Sequence, residues 1–135
     1  MAELSIKRDE ATAWLELYER AWEERDTGLI VSLFTPDGLY RETRFKPPFA
    51  GEAELRAYWD TDIVARQRDV AFSFALWAVD GPVAYAHWHC VFNDLKKSAR
   101  REVDGVFRLT FAERSGPAGL LCAVLDEWWQ ITPIA

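Results

Sequence analysis

The chain is poor in the residues that build disulfide frameworks, metal centres and membrane spans. It has two cysteines, two histidines and no apolar run approaching the ~20 residues that cross a bilayer. Cys90 and Cys122 both fall in predicted strands and lack framework spacing. Two buried free thiols, a reducing compartment and hence a cytoplasmic location are the expectation. Basic residues never gather into a block. The 16 Lys and Arg are interspersed among 22 Asp and Glu for a net charge of −6, which argues against a nucleic-acid footprint. The opening stretch Met1–Arg8 has no apolar h-region, so no secretory leader is expected. There is no nucleophile–His–acid arrangement, no glycine loop for phosphate and no zinc spacing, so no cofactor is expected. With no repeat, linker or low-complexity stretch, residues 1–135 read as one domain.

Apolar residues make up 50% of the chain and aromatic residues 14%, enough for a large core. Ala11, Trp14, Leu15, Tyr18, Ala21 and Trp22 recur at three- and four-residue steps and predict a helix from Ser5 or Asp9 to about Arg25. Asp26 is placed to cap a short second helix ending at Leu33 or Phe34. Thr35-Pro36-Asp37-Gly38 reads as a turn, and Leu39–Phe45 as a strand stopped by Pro47-Pro48. A third helix follows Gly51, with Leu55, Tyr58, Trp59 and Ile63 on its buried face. Strands are predicted over Val70–Val79, Val83–Phe92, Arg100–Ala112 and Leu120–Ile131, the first two joined by Asp80-Gly81-Pro82. Their two-residue alternation gives each an apolar and a mixed face. This is the pattern of an antiparallel sheet covered on one side. The fold class is therefore α+β, with three N-terminal helices packed on a strongly curved antiparallel sheet.

The order of these elements and several local strings resemble the NTF2-like (SnoaL-like) superfamily. The strings are Tyr18 on the first helix, Asp26–Phe34, Phe34-Thr35-Pro36-Asp37-Gly38-Leu39-Tyr40, Gly51 leading to Tyr58-Trp59, Val103–Leu109 and Glu127-Trp128-Trp129. The resemblance covers nearly the whole chain and implies a cone-shaped fold with a blind pocket. It does not fix a reaction, because that superfamily includes ketosteroid isomerase, limonene-epoxide hydrolase and polyketide cyclases as well as members without known activity. Against the isomerase pattern, Tyr18 stands at the oxyanion-donor tyrosine and Glu42, eight residues after Phe34, at the catalytic carboxylate. Trp59 replaces a supporting tyrosine. Gly105 falls where an aspartate is required, with Asp104 one residue out of register.

Four constellations are candidates for function. Glu42 with Tyr18 would pair a base with a hydrogen-bond donor, provided that Tyr40, Glu42 and Arg44 rather than Arg41, Thr43 and Phe45 face inward. Glu127 shares its strand face with Leu121, Ala123, Leu125 and Trp129. It reads either as an acid–base group or as a structural carboxylate, half of a buried ion pair or an anchor for a helix end, with Arg101 or a ligand as its partner, while Asp126 should face away. His87 and His89 share a strand face and have a metal-ligand spacing, but a sheet face that packs on a second subunit or meets solvent is the favoured account of them. Trp14, Trp59, Trp88 and Trp129, with Gly105 and Phe107, are expected to line an apolar pocket. Arg41, Arg44 and Lys46 form a small basic segment near its rim. The leading expectation is a protein that binds a small hydrophobic molecule, with cofactor-independent isomerase, cyclase or dehydratase activity at Tyr18, Glu42 and Glu127. The alternative is a non-catalytic interaction module whose pocket is filled by its own aromatic residues. Either way, a homodimer through the open sheet face is expected, with no nucleic-acid or membrane partner.

Overall fold

A computed structural model describes residues 4–134; Met1, Ala2 and Glu3, on which part of the leader reading rests, lie outside the described residues. Helix α1 spans Arg8–Glu23 and buries Ala11, Trp14, Leu15, Tyr18, Ala21 and Trp22, the stripe its spacing predicts. Helix α2, Thr27–Ser32, starts where the Asp26 carboxylate accepts the Leu29 N–H at 3.0 Å. Helix α3, Gly51–Tyr58, continues without a break into a π-helical turn over Trp59–Val64. Among the described residues, no helix is long and apolar enough to cross a membrane.

Six strands follow the order β2-β1-β6-β5-β4-β3, with β1 at Phe34–Arg41, β2 at Phe49–Ala50, β3 at Gln67–Asp80, β4 at Val83–Asp94, β5 at Ala99–Glu113 and β6 at Leu121–Pro133. The sheet is antiparallel except where β1 runs parallel to β6. No hairpin joins these two strands, so no tight turn dictates their sense. The exit of α2 sets it instead, because the Leu33 carbonyl accepts the Cys122 N–H at 3.0 Å and lays Phe34 beside Cys122.

β1 also departs from its expected bounds. It starts at Phe34 rather than Leu39 and stops at Arg41 rather than Phe45. The turn residues Pro36, Asp37 and Gly38 are absorbed as an irregularity between Phe34 and Leu39, where the register with β6 shifts. Residues 42–48 leave the sheet and return the chain as β2 against Leu39 and Tyr40.

The helices cover one sheet face, and the aromatic side chains meet between them. Tyr18 lies 5.1 Å from Phe107, Trp88 stacks on Phe107 at 5.2 Å, and Trp22 lies 5.5 Å from Trp88, centroid to centroid. Such edge and offset contacts lock ring orientations as well as burying area. The opposite face carries Tyr85, His87 and His89 from β4, Asp104, Val106 and Arg108 from β5, and Asp126 and Trp128 from β6.

Candidate functional site

A cavity of about 90 Å³ lies between α1, the α3–π-helical segment and the inner face of β4–β6. Tyr18 and Trp22 enter from α1, one turn apart. Tyr40 enters from β1 and Glu42 from just beyond its end. Glu127, Trp129 and Ile131 alternate along β6. Tyr58 and Trp59, consecutive residues, both reach the lining at the point where the α-helix widens into the π-helical turn. The Ala65 N–H bonds to the Asp60 carbonyl at 3.0 Å, the five-residue step of that turn.

Glu127 is the buried carboxyl of the cavity. It is 4% exposed, and no donor among the described residues lies within hydrogen-bond reach. The contrast with the other buried carboxylates is sharp. Asp94 is held by Arg66 at 2.9 Å and Arg101 at 3.5 Å. Asp126 is held by Arg41, Arg44 and Arg108 at 3.1, 2.8 and 3.1 Å. Arg101, expected beside Glu127, is therefore committed elsewhere. The residue facing Glu127 on β5 is Phe107, six positions along the strand from Arg101, or ~20 Å. Burial raises the Glu127 carboxyl well above the ordinary range, and the Glu42 charge pushes it further. Asp126 goes the other way. Burial pushes it up, but hydrogen bonds from Arg44 and Arg108 outweigh that and hold it below its usual value.

Three phenols surround this carboxyl. Tyr18 Oη and Tyr40 Oη are 2.6 Å apart, so one proton is shared between them and the other stays free to donate. Tyr58 packs on Tyr40 at 5.5 Å and has no hydrogen-bond partner among the described residues. Burial first, then the charge on Glu127, raises all three phenols well above the ordinary range. They are hydrogen-bond donors at neutral pH, not phenolates. Glu42 is half-buried at the mouth. Its carboxyl is raised mainly by burial and by Asp62, with Lys46 opposing. The inward set on β1 is thus Tyr40 and Glu42, while Arg41 turns to Asp126 on the other face.

Trp129 closes the mouth. Its Nε1–H donates to the Glu42 carbonyl at 2.7 Å and ties the 42–48 loop to β6. Glu42, Glu127 and Trp129 also border an open groove of about 620 Å³ on the far side, so cavity and groove meet at these three residues. Trp59 and Trp88 line the cavity. Trp14 and Phe107 lie one layer beneath it, fully buried, with Trp14 Nε1–H donating to the Leu33 carbonyl at 3.0 Å. Gly105 lies under the Trp88 ring and borders the groove instead.

Sequence reasoning did not single out Tyr40, Trp22 or Gln67 as lining residues. Tyr40 carried a signal, because it alternates in step with Glu42. On the opposite face, His87 Nε2 pairs with Asp104 at 2.9 Å and His89 Nε2 with Glu102. Among the described residues, no three His, Cys, Asp or Glu side chains gather as metal ligands. The thiols of Cys90 and Cys122 are buried, which pushes both up and away from the reactive thiolate.

A family model described as "SnoaL-like domain" matches residues 14–116. No curated protein matches the chain. Among solved structures it is similar to a hexachlorocyclohexane dehydrochlorinase, LinA Type2, at 12% identity and TM-score 0.77, covering 95% of this chain and 88% of that one. It is similar to the epoxide hydrolase/cyclase-like enzyme SalBIII, of pyran ring formation in salinomycin, at 20% identity and TM-score 0.72, covering 93% and 99%. An NTF2-like superfamily protein from Salmonella enterica serovar Typhimurium matches at 16% identity and TM-score 0.72, covering 88% and 87%. At these identities the likeness extends to the fold alone.

Proposed function

As the chain belongs to the SnoaL-like domain family, with the NTF2-like cone fold, we propose that its cavity binds a small, neutral, largely apolar molecule and moves a proton on it without a cofactor. The observation that carries this reading is Glu127, the buried carboxyl with no protein partner, at a junction of cavity and groove. Leaving a polar group unpaired in an apolar interior costs free energy, so such a group points to function more than to stability. Its raised carboxyl makes Glu127 the proton donor. Glu42, less buried and nearer solvent, is the acceptor. Two carboxyls whose environments push them apart divide the acid and base roles. The free hydrogen of the Tyr18–Tyr40 pair and the Tyr58 hydroxyl would stabilise negative charge on a substrate oxygen. Isomerisation, cyclisation and dehydration all fit this inventory. Solved structures of similar fold include a dehydrochlorinase and a cyclase-like enzyme.

The cavity volume is below the ~150 Å³ of a cavity that holds benzene, and the cavity opens at Trp129. A ligand therefore places its reacting end inside and extends past Trp129 into the groove. A panel of β,γ-unsaturated ketones, epoxy alcohols and hydroxy ketones, screened by tryptophan fluorescence and then by product analysis, tests the reading. Quenching followed by metal-free conversion of at least one compound is expected. A cavity silent to every compound would end the proposal. Binding without conversion would return the chain to a binder.

The outer sheet face supports homodimerisation as part of the same reading. Trp77 and Trp128 are 58% and 42% exposed there, the first stacked on His87 and the second beneath the Arg44 and Arg108 guanidiniums. The face carries acidic charge at Glu102 and Asp104 and three arginines around Asp126, so two copies related by a two-fold axis can offset each other's charge. Light scattering is expected to give a dimer. Asp104→Lys and Arg108→Glu should each weaken it, and the double variant should restore it. A wild-type monomer would refute this contact.

A further inference from the structure

We propose that Gln67 is a second polar anchor in the cavity, donating its side-chain amide N–H to an oxygen of the ligand. The inference rests on the cavity being a binding site, as argued above. Gln67 is 7% exposed and lines the cavity at the start of β3. Which end of its amide faces the lining is fixed by chemistry. Trp22 Nε1 can only donate, and it lies 2.7 Å from Gln67 Oε1, so the carbonyl end is taken. The amide nitrogen has no acceptor among the described residues. With its carbonyl end paired and its nitrogen open to the cavity, the amide keeps a donor to offer a ligand.

The backbone beneath it is held as firmly as the side chain. Arg25 Nη1 and Arg68 Nη1 both donate to the Gln67 carbonyl, at 3.3 and 2.7 Å. Immediately after it, the β3–β4 register shifts between Arg68 and Ala71, and Asp69 takes a φ of +51°. Bulges of this kind re-aim a side chain next to a site. The amide is therefore preorganised rather than adapting to whatever enters.

Gln67 and Glu127 mark two poles of one cavity. Tyr18, beside Glu127, and Trp22, which fixes Gln67, are four residues apart on α1, ~6 Å of helix rise. Much of the rest of the lining is apolar, with Trp59, Ile63, Trp88, Phe92 and Val103. The matching ligand has an apolar body and two oxygen functions, one meeting the acid and phenols and one accepting from Gln67. An anionic group at either pole is disfavoured, since both carboxyls that line the cavity are acidic and its lining holds no Lys or Arg.

The test compares hexan-2-one, with one acceptor, and hexane-2,5-dione, with two, slim open chains that can thread past Trp129, by tryptophan quenching. The wild type should prefer the dione by roughly three- to tenfold, the net worth of one hydrogen bond. Gln67→Met keeps the length of the side chain but removes the amide donor, and should abolish that preference. Side-chain amide NMR of the wild type provides a readout that no folding defect can mimic. The Gln67 N–H resonances should move with the dione and stay still with the monoketone. If both ketones bind with the same ratio in both proteins, or if the amide resonances never respond to the dione, Gln67 is no anchor although the cavity binds. If neither ketone quenches the wild type, the binding reading itself fails for this class and Gln67 falls with it.

Discussion

Glu127→Gln is expected to lower turnover of any converted substrate by at least about a hundredfold while leaving ligand binding intact, because positioned acid–base groups contribute 10²–10⁴. Glutamine matches the size of the side chain and can still donate a hydrogen bond. It cannot give up and retake a proton. Loss of turnover with quenching retained therefore isolates the proton from the packing. A variant that turns over as well as the wild type would remove Glu127 from the chemistry.

The same substitution should alter stability in a direction that a structural carboxylate could not produce. The folded protein holds the Glu127 proton well above 4.5, the ordinary glutamate value at which the unfolded chain releases it. A raised acid contributes its stability fully below the unfolded value. That contribution is lost as pH climbs from 4.5 through the folded-state value, since the unfolded chain sheds a proton that the folded chain keeps. Glutamine has no such loss. The variant should thus melt close to the wild type at pH 4 and progressively above it at pH 6 and pH 8. Were Glu127 instead half of an ion pair, glutamine would be the less stable protein at pH 8. Stability given up at a functional position is a familiar exchange.

The cone was legible in the sequence because its signals are periodic. The α1 stripe, the Asp26 cap and the alternation along β4, β5 and β6 each rest on side chains that all point one way. What escaped is what periodicity does not encode. The parallel β1–β6 pairing joins segments some 85 residues apart with no turn between them, and β1 absorbs a turn signal as a bulge. The π-helical turn that brings Tyr58 and Trp59 to one surface has no composition of its own. Gln67 lies ahead of the predicted Val70–Val79 strand with no signal of its own, since only a contact from Trp22, 45 positions away, reveals which atom it presents. Glu127 was visible as an acid on an apolar face. That it is unpaired followed only from the register, which sets Phe107 opposite it and takes Arg101 to Asp94.

Gly105→Ala should destabilise the protein by about 3 kcal/mol, the upper end for adding a methyl to a packed interior. A Cβ there would lie 2.6 Å from Trp88 Cε2 and Cζ2 and 2.8 Å from the Trp128 carbonyl oxygen. Neither neighbour can yield cheaply. The carbonyl belongs to the β5–β6 ladder, in which Gly105 faces Trp129. The indole is stacked between Phe107 at 5.2 Å and Phe72 at 6.0 Å, with Trp22 at 5.5 Å. Since Trp88 also lines the cavity, the shift that relieves the clash would narrow it, and ligand quenching should weaken along with the denaturation midpoint. An unchanged midpoint would mean that the indole does not lie over this glycine. Gly105 occupies the position where the isomerase pattern carries an aspartate, and here a glycine makes room for Trp88. Asp104 cannot substitute, because it faces outward to His87. The inner face of β5 therefore carries no acid between Arg101 and Phe111, and the cone takes its buried carboxyl from β6, one strand over and two residues along in register, where Glu127 meets Phe107.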